Sequence, residues 1–102
     1  MNIAIFDSGI GGLSVLYQAK RMLPEAHFLY YADEDHVPYG EKTREQILTY
    51  TDEAVRFLLD RGADAIVLAC NTATSVAAAT LRDRYPLPII GICLLYTSDA
   101  AD

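Results

Sequence analysis

Apolar and polar positions alternate along this chain in two rhythms, short unbroken apolar runs and longer stretches with apolar residues three or four apart. The first run, Ile3-Ala4-Ile5-Phe6, predicts a strand over 2–6 that is buried on both faces. Asp7-Ser8-Gly9-Ile10-Gly11-Gly12 breaks it, with glycines that permit a tight turn and close approach of backbone to a ligand. Leu13, Leu16, Tyr17 and Lys20 then share related faces of a helix over 13–22, which Pro24 closes. His27-Phe28-Leu29-Tyr30-Tyr31-Ala32 predicts a second strand. The charged, Pro- and Gly-bearing stretch from Asp33 to Gly40 reads as a loop. Thr43 and Gln46 have capping-box spacing, and Ile47, Tyr50, Ala54, Phe57 and Leu58 recur at helical spacing until Gly62 stops the helix. Residues 65–69 form the next apolar run and an Ala-rich helix follows over 73–84. Pro86 and Pro88 end it, before a short fourth strand over 89–92. Strand and helix alternate throughout, so the expected class is α/β, an open parallel sheet with right-handed crossovers and helices on both faces.

Residues 93–102 do not continue this pattern. They follow a strand end, supply no helix returning to another strand, and resemble a translated sequencing-adapter sequence. The expected organisation is therefore one incomplete domain over 1–92 followed by a tail over 93–102 that reads as non-native. Its 102 residues and 52% apolar content suit one small domain with a real core. A net charge of -6 speaks against nucleic acid or an anionic membrane as partner. No apolar run is long enough to span a bilayer, and no basic segment precedes the first strand as in a signal peptide. Two cysteines without secretory context fit the reducing cytoplasm better than a disulfide. There is no metal-ligand spacing, since CxxC is absent and His27 and His36 stand apart.

Candidate chemistry centres on Ala69-Cys70-Asn71-Thr72, where a parallel strand is expected to stop and a helix to start. Ligands of open α/β sheets bind at the carboxyl ends of strands, and a helix N-terminus there favours a thiolate. Taken singly, Cys70 reads equally as a small buried hydrophobe. A parallel sheet, however, also brings Asp7-Ser8 and Pro38-Tyr39-Gly40 to the same edge. Together these loops offer a carboxylate, hydroxyls, a carboxamide, backbone N–H groups and a thiol, a set suited to a small zwitterion.

Phe6-Asp7-Ser8-Gly9-Ile10-Gly11-Gly12-Leu13-Ser14-Val15 resembles the first motif of glutamate racemase, the cofactor-independent branch of the aspartate/glutamate racemases. Tyr31-Ala32-Asp33 with Val37-Pro38-Tyr39-Gly40-Glu41-Lys42, and Ala69-Cys70-Asn71-Thr72-Ala73-Thr74, resemble its next two motifs, in order, up to about Ile92. The resemblance implies racemisation of L- and D-glutamate by two cysteines on opposite sides of the substrate Cα, without cofactor or metal. It matches Cys70 to one base and Asp7 to a group that tunes it. It matches Asp7, Ser8, Tyr39, Gly40, Asn71 and Thr72 to substrate contacts. It further implies a bacterial cytoplasmic enzyme supplying D-glutamate for peptidoglycan, homo-oligomeric at full length. Such enzymes have two α/β domains, and this chain resembles a truncated first one. The second cysteine belongs to the other domain, and Cys93 in the tail is no substitute, so the fragment alone is expected to be inactive.

Other readings compete with this one. Aspartate or another amino acid could be the substrate, because side-chain selectivity is set partly in the missing half. Gly9-Ile10-Gly11-Gly12 with Asp33 has the outline of a dinucleotide-binding module, but Ser14 replaces its third glycine and Asp7 would face the pyrophosphate. A thiol nucleophile forming a covalent intermediate at Cys70 would need a basic partner, for which His36 is the candidate.

Overall fold

The computed structural model describes residues 1–8 and 13–91. The expected glycine turn over 9–12, Ile92 and the tail over 93–102 lie outside the described residues. Four strands, β1 (Asn2–Asp7), β2 (His27–Ala32), β3 (Ala65–Leu68) and β4 (Ile89–Gly91), pair in parallel in the order β2-β1-β3-β4. Three α-helices, α1 (Leu13–Met22), α2 (Arg44–Asp60) and α3 (Asn71–Arg84), connect them. The chain steps from β1 to β2 in one direction and then crosses back to β3 and β4. Right-handed crossovers therefore place α1 on one face and α2 with α3 on the other.

The core lies under α2 and α3. Ala4, Phe6, Ile66 and Leu68 meet Ala54, Val55 and Leu58 of α2 and Ala73, Ala77 and Leu81 of α3. Small alanines let α3 sit close to the sheet. Thr43 starts α2 with the expected capping box: its hydroxyl accepts from the Gln46 amide at 3.1 Å, and its own amide donates to Gln46 Oε1 at 2.9 Å. Gly62 ends the helix at φ +90°, a conformation that side-chain-bearing residues rarely adopt.

Three expectations need correction. Phe57 shares the helical spacing of the other apolar residues of α2, but it is 44% exposed, edge-on to Tyr31 and covered by the Arg61 guanidinium. The loop over 33–40 contains two short 3₁₀ turns, Glu34–His36 and Tyr39–Glu41, the second extending one residue further. The third helix starts at Asn71 rather than at residue 73, because Cys70 caps it directly. Helix α1 forms where its periodicity placed it, yet it has no buried residue, and Leu13, Tyr17 and Met22 are exposed.

A polar clamp closes α2 on α3. Asp52 accepts from the Tyr85 hydroxyl at 2.8 Å, from Arg84 Nη1 at 3.3 Å and from Arg56 Nε at 3.4 Å. Burial raises the Asp52 carboxyl, but these bonds outweigh it and hold the group below its ordinary 3.8. A carboxyl lowered in the folded state stabilises the fold above its unfolded value and loses that contribution as pH falls through the folded value. Asp52→Asn should lower the unfolding free energy at neutral pH by about 1–2 kcal/mol. Urea titrations should show the gap to wild type closing under strongly acid conditions, once the carboxyl is protonated in both states.

Candidate active site

The strand order reverses between β1 and β3, and their carboxyl ends flank the crevice that such a reversal opens. Phe6 is the register partner of Leu68, and the Ala69 amide donates to the Phe6 carbonyl at 2.7 Å. Asp7 on one strand and Cys70 beyond the other therefore emerge at nearly the same level. Asp7 is buried and accepts the Ser8 amide at Oδ1 (2.8 Å), while Ser8 is half-buried.

Cys70 is the N-cap of α3, with extended backbone (φ -105°, ψ 124°), and its Sγ accepts the Ala73 amide at 3.4 Å. The sulfur thus sits at the positive end of a helix with an N–H directed at it. Cys70 is 7% exposed, Thr72 is half-buried, and Asn71 faces solvent. Ser, Thr, Asp or Asn cap helices better than a thiol does, so local stability does not explain a cysteine here.

Thr74 fixes this corner. Its buried hydroxyl donates toward the Cys70 carbonyl (2.9 Å) and the Leu68 carbonyl (3.2 Å), tying the first turn of α3 to the end of β3. Gly91 of β4 packs against it so closely that an added Cβ would collide with Thr74 Cγ2 and lie 3.1 Å from Oγ1.

The Pro38-Tyr39-Gly40 shoulder forms the third wall. Tyr39 is 2% exposed and Gly40 is exposed, with open space where a Cβ would stand. The Tyr39 ring packs between those of Phe6 and Tyr50, with centroids 6.2 and 6.1 Å away. Its hydroxyl donates to Asp33 Oδ2 at 2.5 Å. Burial, followed by the Asp33 hydrogen bond and charge and the nearby Cys70, pushes the phenol well above its ordinary 10. Tyr39 therefore remains protonated near neutral pH and is no proton carrier there.

Asp33 stood in the sequence only as part of the second motif and as the acid of the dinucleotide reading, with no role assigned to it in the site. It is 7% exposed; its partner His36 ends the 3₁₀ turn that Asp33 precedes, and Tyr39 stands six residues on, a spacing that belongs to no regular element. Its motif position before Pro-Tyr-Gly was the available signal. His36 pairs with Asp33 and stacks on Tyr50, and no contact to Cys70 supports it as a thiol's basic partner. Among the described residues, no cluster of three or more His, Cys, Asp or Glu is arranged to hold a metal ion. No helix among them is long and apolar enough to cross a membrane.

A family described as Asp/Glu/Hydantoin racemase matches residues 14–101. A Lachnospira eligens protein named glutamate racemase is 65% identical over 92 residues, covering 90% of this chain and 35% of that protein. The structure of glutamate racemase from Aquifex pyrophilus superposes with a TM-score of 0.87 at 41% identity, covering 89% of this chain and 36% of that one. An Escherichia coli glutamate racemase, solved with L-glutamate and an activator, gives 0.84 at 36% identity, covering 88% and 34%. The chain thus spans about a third of the length of the relatives it matches.

Gly91→Ala should force Thr74 off its two carbonyl bonds and cost about 1–3 kcal/mol. Thr74→Ser keeps the hydroxyl and removes Cγ2, so adding it to Gly91→Ala should restore part of the loss in denaturant titrations. Equal stability of single and double variants would show that this collision is not what Gly91 avoids.

Proposed function

This chain belongs to the Asp/Glu/hydantoin racemase family, and we propose that it contributes one of the two thiol bases of a glutamate racemase. The observation that carries the reading is a cysteine in a helix-capping position at the strand-order reversal, level with a buried carboxylate.

The reaction asks for a base close to a weakly acidic Cα–H, with no pyridoxal ring to take up the electrons. Cys70 as thiolate takes the α-proton, and a thiol on the opposite face returns one, so the products are the inverted amino acid and a protein whose two sulfurs have exchanged protonation states. Asp7 attracts the substrate ammonium and orients Cys70. Ser8, Asn71 and Thr72 hold the carboxylates through hydroxyl, amide and N–H groups. Tyr39 and Gly40 contribute through their backbone, since the Tyr39 phenol is committed to Asp33. Fixed donors around the carboxylate stabilise the carbanion-like state.

On this reading the second thiol would come from a second domain, outside the third of the relatives' length that this chain matches. The complete protein would be a cytoplasmic, homo-oligomeric enzyme feeding D-glutamate to peptidoglycan. An aspartate-directed racemase is the second reading, as the residues that select side-chain length lie partly in the other domain.

The test is a full-length hybrid in which residues 1–91 replace the matching segment of the Lachnospira eligens relative. It should racemise glutamate, with deuterium from D₂O entering the product's Cα. Cys70→Ala should lower turnover by roughly a thousandfold or more. Racemisation that survives Cys70→Ala would overturn the assignment of the base, and a preference for aspartate over glutamate would select the second reading. The isolated 102-residue chain should leave L-glutamate optically unchanged in polarimetry.

A further inference from the structure

Asp33 is held from both sides, and neither contact is required by the proton transfer just described. Its amide donates to the Asp7 carbonyl at 2.9 Å, so its backbone continues the β1–β2 ladder past the end of β2. Its carboxylate accepts the Tyr39 hydroxyl at 2.5 Å. It also faces His36 Nδ1, which lies 2.8 Å from each carboxylate oxygen. A carboxylate only accepts, so the proton of that bond resides on Nδ1. The imidazole in turn lies flat on Tyr50 of α2, with centroids 3.7 Å apart and planes within 10°. These contacts run unbroken from the end of β1 through Asp33 to the Tyr39 shoulder, and are backed by α2.

From this arrangement we infer that His36 and Asp33 are positioning residues for the Tyr39–Gly40 backbone, setting how well the site holds its amino acid and leaving the proton-transfer step unaltered. This inference rests on the racemase reading for its substrate, but its geometry does not. His36 is 37% exposed, so its tight double contact with Asp33 is not enforced by burial. The stack on Tyr50 limits the ring's rotation, and Nδ1, 2.8 Å from both oxygens, holds the carboxylate in the orientation in which Oδ2 also accepts the Tyr39 hydroxyl. Without the imidazole, the carboxylate can rotate toward solvent and release the phenol. The shoulder is otherwise held locally by the Glu41 amide on the Pro38 carbonyl (3.2 Å) and the Lys42 amide on the Tyr39 carbonyl (3.0 Å).

The experiment uses the full-length hybrid with His36→Leu, His36→Asn and Tyr39→Phe. His36→Leu should raise KM for glutamate about tenfold with kcat within roughly threefold of wild type, the signature of lost ground-state binding. His36→Asn places an amide N–H near the position of Nδ1 and should restore most of the affinity. Combining His36→Leu with Tyr39→Phe should cost no more than the larger single change, because both break one chain of contacts. Amide exchange in the same proteins should rise at Glu41 and Lys42 in His36→Leu and stay level at Ile66, whose amide bonds Pro88 across the sheet. An unchanged KM, a loss confined to kcat, or faster exchange at Ile66 as well would overturn the inference. If the unmodified hybrid fails to racemise glutamate, the proposed function falls, and the exchange pattern still decides whether His36 positions the shoulder.

Discussion

The Ala69 amide reaches the Phe6 carbonyl at 2.7 Å because β1 and β3 are paired in parallel with Phe6 opposite Leu68. That ladder sets the level at which two strands stop and two loops begin. A slip of one residue would turn Phe6 and Leu68 out of the core and carry Asp7 and Cys70 away from each other. β1 has neighbours on both sides, and Ile3 to Asp7 are all buried, so its register is specified from both faces. The chemistry of the site is therefore held by main-chain geometry before any side chain at the site is considered.

Around that ladder, short polar side chains do the local fixing. Thr74 secures the β3–α3 corner from within, and Gly91 lets β4 come close enough to seal it. Asp33 fastens the third wall. All three lie in or beside regular elements rather than in the loops that bear the proposed contacts. Loops of few residues thus gain precision from the rigid parts they leave.

Much of this was legible in the residues. The apolar runs marked the four described strands; β1 and β3, at the centre of the sheet, carry no alternation to confuse with a helix, while edge strand β4 leaves Ile90 exposed. Thr43 with Gln46, and Gly62, marked both ends of α2 because capping is a local interaction between near neighbours. The edge position of Cys70 followed from the alternation of strand and helix. The exposure of Phe57 was not legible because helical spacing gives a face but not its width, and this ring lies at the margin, against Tyr31 of β2. The lack of burial on α1 was invisible for a related reason: periodicity describes a face and says nothing of what covers it. The role of Asp33 was not legible because its bond to Tyr39 is set by the path of a loop.

The pairing that builds the site joins segments far apart in sequence. Asn2 and Asp64, which flank the start of the β1–β3 ladder, are 62 residues apart. β2 is synthesised much earlier and can zip onto β1 after a shorter loop closes. Closing the longer loop costs more chain entropy, and contacts of this separation are the slow ones in small domains. In kinetic terms, the pairing that brings Cys70 level with Asp7 is expected to be slower than the pairing of β2 with β1.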